Sequence, residues 1–192
     1  MIPMTPEFVA MIQQVAHDIG ASIVIDEVIA LRLDYHGAQA KFGIKPDYTT
    51  FAKIIGGGFP VGAVAGTDSA MAVFSHSEGK PLNPSSGTFT ANPVTMSAGL
   101  ATMKLLTPET YAALDALGEH ARAVAAQAFQ AAGTEGQVTG VGGMFAIHLH
   151  ERPITDYRSA YPVGDEAARG KALHLALLEA GFIMSPKLTA CM

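Results

Sequence analysis

Tryptophan is absent and cysteine occurs once, at Cys191. A single cysteine forms no internal disulfide, which excludes the stapled secreted scaffolds and leaves stability to apolar packing. Charge is scarce: Asp, Glu, Lys and Arg supply 15% of 192 residues, against about 25% in an ordinary globular domain. Basic residues are not in excess, since 12 Lys and Arg face 17 Asp and Glu for a net charge of −5. That excludes the cationic footprint of a nucleic-acid binder. No apolar run reaches the ~18 residues that read as a membrane span. The longest uncharged stretch, Pro81 to Met103, is interrupted by prolines, glycines and hydroxyls. The opening MIPMTPEFVA has neither the basic nor the apolar region of a secretory signal. The expectation is a cytoplasmic protein that meets neither nucleic acid nor membrane.

What is present is apolar: 49% of the residues are hydrophobic and the mean hydropathy is +0.27. Such a chain is not disordered. Either much of its surface is covered by something else or it is part of a larger body. Thr5-Pro6-Glu7 opens a helix with apolar positions at Phe8, Ile12 and Val15 that ends at Gly20. A β-branched run, Ala21 to Ile25, then predicts a buried strand ending in Asp26-Glu27. This αβ order favours a parallel sheet. A helical piece around Ala38 to Phe42 follows. Tyr48 to Ile55 predicts a second strand with Lys53 inside it, and Val61 to Gly66 a third. Helices are predicted from Asn92-Pro93 to Leu106, from Thr107-Pro108-Glu109 to near Gly133, and from Asp165 to Gly181. Val138 to His150 reads as a strand broken by glycines, and Phe182 to Met184 as a last short strand. The sharpest break separates residues 1–106, an α/β half, from residues 107–192, a smaller α+β half.

Three places carry chemistry. Asp26 is an acid at the carboxyl end of a buried strand, where open α/β sheets bind ligands; it equally suits a loop cap. Lys53, among Phe51, Ala52, Ile54 and Ile55, is costly to bury unless paired or used covalently. The alternative is an edge-strand lysine in water. Gly56-Gly57-Gly58 follows and lets backbone approach a bulky group, but it matches neither GxGxxG nor a P-loop. Ser85-Ser86-Gly87-Thr88, ahead of a helix start, forms a plausible anion cup or an ordinary Ser-rich loop. Arg32 and His36 follow Asp26 closely enough to line a site. His148 and His150 share a strand face, but a third ligand is missing and no metal site is expected.

In order, Ile25-Asp26-Glu27-Val28, Pro46-Asp47, Lys53-Ile54-Ile55-Gly56-Gly57-Gly58-Phe59-Pro60-Val61-Gly62-Ala63 and Gly87-Thr88-Phe89-Thr90-Ala91-Asn92-Pro93 resemble class III aminotransferases, in particular the glutamate-1-semialdehyde aminomutase-like branch with its β-amino-acid aminotransferases. The resemblance implies a pyridoxal-phosphate transferase of fold type I, with part of the large mixed-sheet domain and part of the small α+β domain. It implies Asp26 on the pyridine nitrogen, Lys53 as the Schiff-base lysine, and Val28, Gly87 and Thr88 as further cofactor contacts. Thr88 would serve the neighbouring subunit, hence a homodimer acting on an amino acid and a 2-oxo acid. The activity so implied is transamination, or the intramolecular transfer of an aminomutase.

Ile29-Ala30-Leu31-Arg32-Leu33 departs from the Thr-Gly-Phe-type continuation of many ω-amino-acid transaminases and is closer to the β-amino-acid enzymes. Arg32 would then help hold a substrate carboxylate. The family's Gly-Ser phosphate loop and ring-stacking aromatic have no counterpart here, and the chain stops after Ser185-Pro186-Lys187-Leu188 short of a frequent carboxylate-binding arginine. The expectation is an internal fragment, itself catalytically silent unless the other half is supplied.

Overall fold

The computed structural model describes residues 1–77 and 79–192. They divide into two compact units, residues 4–111 and residues 1–3 with 112–192.

In the first unit, α1 (Pro6–Ile19) begins where the Thr5 hydroxyl accepts the Phe8 N–H at 3.2 Å with Pro6 in the first turn. It ends at Gly20 in the left-handed region, φ 64°. Strand β1 (Val24–Asp26) pairs in parallel with β2 (Tyr48–Ala52), and β2 pairs antiparallel with β3 (Gly62–Gly66). The sheet is therefore mixed. The Asp47 carboxylate sets the entry register by accepting the Ile23 N–H at 2.7 Å. Between β1 and β2 lie a 3-10 turn, Ala30–Leu33, and α2 (Gly37–Phe42). A short α3 (Asp68–Met71) follows β3. Helix α4 (Pro93–Leu105) starts on Asn92, whose side chain accepts the Thr95 N–H at 3.0 Å.

Two strand expectations change here. The first strand begins at Val24 and takes in Asp26. The second ends at Ala52, so Lys53 is not inside it: Lys53–Gly56 form a 3-10 turn, with Lys53 at φ 53°. The glycines that follow explain the early stop. Gly57, φ 59°, lies against the Ala98 carbonyl, and Gly99 lies against the Ile55 carbonyl. The turn packs backbone to backbone on α4, an approach that only glycine permits and a continued strand prevents.

In the second unit, α5 (Pro108–Ala132), whose first turn belongs to the first unit, leads to a hairpin of β4 (Gln137–Val141) and β5 (Met144–His148). The run read as one glycine-broken strand is thus two strands joined at Gly142-Gly143, where Gly118 of α5 touches the turn. After α6 (Tyr157–Ala160) and α7 (Glu166–Glu179), the expected strand Phe182–Met184 does not form. Ile183 is 96% exposed. The third strand is β6 (Thr189–Cys191), antiparallel to β5. Pro186 cannot donate to a ladder, so pairing resumes beyond it, with the Ile147 N–H on the Leu188 carbonyl at 2.9 Å.

The buried apolar core is small: Val9, Leu33, Ala38 and Tyr111 in one unit, and Met144, Phe145, Ala146 and Leu188 in the other. The chain exposes 12369 Å². Two independent domains of half its mass would together expose about 10500 Å² on the scaling of area with mass. Many large apolar side chains lie on that surface. Phe8, Met11, Val15 and Ile19 form an exposed stripe on α1; on α4, Met96, Leu100 and Met103 form another, and Val94 and Leu105 are exposed on the opposite face. Low charge and high hydropathy are thus properties of the surface. Among the described residues no helix is long and apolar enough to cross a membrane.

Candidate active site

Because β1 and β2 run parallel with Asp26 opposite Thr50, their carboxyl ends share one edge of the sheet. Asp26 is the last residue of β1 and Lys53 the first after β2. Both side chains are exposed, so the cost of a buried lysine does not arise within this chain. The Asp26 carboxylate is held in an Asx turn by the Val28 N–H at 2.9 Å. Among the described residues, Lys53 is one of three non-glycine residues with positive φ. Strained backbone of this kind persists where surrounding packing imposes it, and here the imposing element is α4.

Glu27 is the residue that sequence reasoning passed over. It is 0% exposed. Its two carboxylate oxygens accept the N–H groups of Ala38 and Gln39 at 3.0 and 2.7 Å. Its own N–H bonds Thr50 O, and its carbonyl accepts the Leu31 N–H. Gly37, φ 79°, is required because a Cβ there would stand 2.7 Å from Glu27 Oε1. One buried acid thus ties the end of β1 to α2 and the turn between them, and so fixes the segment that presents Asp26. The pair of consecutive acids followed by His36-Gly37 was the available signal.

Arg32 is half-buried on the 3-10 turn and His36 is exposed ahead of α2. His36 Nδ1 is 3.8 Å from Asp34 Oδ1. Tyr35 meets His36 and Tyr111 edge-on, with ring centroids 5.1 and 6.2 Å apart. Tyr111 is buried, and burial raises its phenol above the usual value while the Arg32 charge opposes the rise. Arg32 and Tyr111 therefore share one neighbourhood. Gly87 and Thr88 are exposed in the loop before α4, where the Thr90 N–H bonds Gly87 O at 3.1 Å. Since α4 also seats the Lys53 turn, both candidate anchors rest on one helix.

His148 and His150 belong to the second unit, with rings 5.8 Å apart. Among the described residues no three side chains are grouped as metal ligands.

Residues 1–187 match the family model of class-III aminotransferases. A glutamate-1-semialdehyde 2,1-aminomutase of Sorangium cellulosum is 35% identical over 96% of this chain and 41% of its own length. An omega-transaminase of Sphaerobacter thermophilus superposes with a TM-score of 0.96 and 45% identity over 99% of this chain and 43% of that one. A transaminase solved with PLP bound gives 0.88 and 36%, over 100% and 43%. The chain spans less than half the length of each of these relatives. Over that span its mixed α/β architecture is that of the fold type I enzymes that use pyridoxal phosphate, and the chain belongs to the class-III aminotransferase family.

Proposed function

We propose that this chain carries the lysine and the ring-nitrogen acid of a transaminase acting on an amino acid and a 2-oxo acid. The observation that carries the reading is the placement of Asp26 and Lys53 at the carboxyl ends of two adjacent parallel strands. The residues fit pyridoxal phosphate: a carboxylate held by its own Asx turn, an amine on the same sheet edge, and a Ser/Thr/Gly loop leading into α4. When bound, that cofactor supplies the electron sink that makes an amino acid Cα–H acidic. Asp26 keeps a proton on the ring nitrogen. Lys53 anchors the cofactor and then moves a proton at the substrate Cα through Nζ. Val28 supports Asp26 through its N–H, Gly87 and Thr88 receive the phosphate, and Arg32 and His36 face the substrate carboxylate. Thr88 serves a second subunit, which makes the working unit a cytoplasmic homodimer with residues 81–103 at its interface. Residues 1–106 belong to the large domain and 107–192 to the small one.

Transamination is preferred to the aminomutase reaction because the higher identity, 45% against 35%, is to a transaminase. The test is product accounting. A chain loaded with pyridoxal phosphate and given an amino acid should stop at one equivalent of 2-oxo acid until a second 2-oxo acid is added. Isomerisation of an amino substrate without any added 2-oxo acid would instead assign aminomutase activity.

A second reading applies to the chain alone. Asp26, Lys53 and Thr88 are all exposed, whereas proton abstraction from carbon needs a site closed to water. On this reading the isolated chain holds cofactor weakly and turns over only with a further polypeptide surface. Cofactor titration decides it, since tight binding with turnover removes it.

A further inference from the structure

Thr95 and Gly99 are the buried residues of α4. They stand four apart and share one face of the helix, the face that meets the turn beginning at Lys53. A Cβ on Gly99 would overlap the Ile55 carbonyl oxygen, and one on Gly57 the Ala98 carbonyl. A Cβ on Gly56, itself buried, would meet the Val61 side chain and then Thr95 Cγ2. The Thr95 hydroxyl donates to the Pro60 carbonyl at 3.5 Å. Asn92 sets its direction. The Asn92 amide nitrogen donates to Thr95 Oγ1 at 2.9 Å and to Phe89 O at 3.2 Å, while Asn92 Oδ1 accepts the Thr95 N–H at 3.0 Å. Because the hydroxyl oxygen accepts from Asn92, its proton points away, towards Pro60. Helix α4 thus holds the segment 55–60 at both ends, through Gly99 at Ile55 and through Thr95 at Pro60.

Local sequence favours a different conformation. Phe51, Ile54 and Ile55 are strand formers, and β2 is paired with β3 as far as Ala52 opposite Gly62. One further step in that register pairs Lys53 with Val61. The next puts Ile54 opposite Pro60, which has no N–H to give. Lys53 therefore has two conformations open to it: left-handed at φ 53°, as the first residue of the turn, or extended, as the last residue of β2. Left-handed backbone is costly for a residue with a Cβ, so the extended form wins unless α4 opposes it. The choice also aims the side chain, since φ sets the direction of the Cα–Cβ bond relative to the strand before it. We infer that Thr95 and Gly99 are positioning residues for Lys53: they hold it left-handed against the extended alternative and so fix the direction in which its amine leaves the sheet edge shared with Asp26. The inference deepens the reading of Lys53 as the reactive amine and rests on it.

Two readouts on the full chain test it. The first needs no cofactor: the ¹³C shifts of Lys53 Cα and Cβ, which report backbone conformation. Gly99→Ala displaces the turn while giving α4 a better helix former, and Thr95→Val removes the hydroxyl but keeps the branched shape. Both should move the Lys53 shifts towards strand values with amide exchange in α4 no faster than before. Thr95→Ser keeps the hydroxyl and should restore the wild-type shifts. The second readout is the adduct fixed by pyridoxal phosphate and borohydride on Lys53, counted against that on Lys104, an exposed lysine of α4. That ratio should fall about fivefold in Thr95→Val, the worth of one ordinary hydrogen bond, and at least as far in Gly99→Ala. The inference is overturned if the Lys53 shifts stay at wild-type values in Gly99→Ala or in Thr95→Val, if they move only with faster exchange throughout α4, or if they move while a wild-type preference for Lys53 survives undiminished. Shifts that respond in a chain whose wild type labels Lys53 and Lys104 alike would uphold the grip of α4 on the turn and remove the reactive-amine reading instead.

Discussion

At the sheet edge of residues 4–111, the side chains with chemical potential, Asp26 and Lys53, stand in solvent, while their neighbour Glu27 is fully buried and satisfied by backbone N–H groups. Among residues 112–192 the order is reversed. Glu166 is tied to Arg152, and His150 is buried with its Nε2 unpartnered among the described residues. The first region spends its buried polar group on architecture and leaves its candidate site residues open. The second encloses a ring nitrogen that has no hydrogen-bond partner among the described residues. A buried acid with complete partners thus marks a scaffold.

The largest expected effect comes from the scaffold acid. Glu27→Leu removes the acceptor of two N–H groups inside the protein and should cost about 3 kcal/mol in urea denaturation. A loss under about 1 kcal/mol would show that Glu27 does not organise the Asp26 segment. Gly57→Ala puts a Cβ at positive φ against the Ala98 carbonyl and should cost about 2 kcal/mol, read in the same way.

Next comes acid sensitivity of the second unit. His148 has its pKa lowered from 6.5 to about 4 chiefly by burial, so the unfolded chain takes up a proton first. Stability falls as pH drops from 6.5 towards 4 and levels below that. Glu166 is lowered from 4.5 to about 2 by the Arg152 hydrogen bond. Its contribution is complete above pH 4.5 and is lost as pH falls towards 2. His148→Phe should flatten the upper window and Glu166→Gln the lower one in the pH dependence of the urea midpoint. An unchanged profile in both variants would remove the contrast between the units.

The smallest effect belongs to the open site. Lys53→Gly relieves a positive φ and should raise stability by about 0.5 kcal/mol while abolishing any lysine chemistry. A loss of stability instead would make Lys53 a structural residue.

Helices were legible in the sequence because their caps are local. Thr5-Pro6 and Asn92-Pro93 start α1 and α4 as their side chains dictate. Strand ends were less legible, since what stops β2 at Ala52 is α4 backbone pressing on Gly57 from some forty residues away. The strand expected at Phe182–Met184 failed for a related reason: β-branched character makes a strand only where a partner edge is free, and β5 pairs with Thr189–Cys191 instead. The order and spacing of Asp26 and Lys53 pointed to a shared site, and both lie at one edge of the sheet. Glu27 was not legible, because its role depends on N–H groups eleven and twelve residues later. The compositional oddity, little charge and much hydropathy, has its physical form in the exposed stripes of α1 and α4.

The central claim is that Lys53 is the reactive amine. Loading the chain with pyridoxal phosphate, reducing with borohydride and mapping the labelled peptides tests it most directly. The predicted result is an adduct concentrated on Lys53 and lost in Lys53→Ala. An adduct spread evenly over Lys41, Lys45, Lys104 and Lys171, or one that persists undiminished in Lys53→Ala, would contradict it.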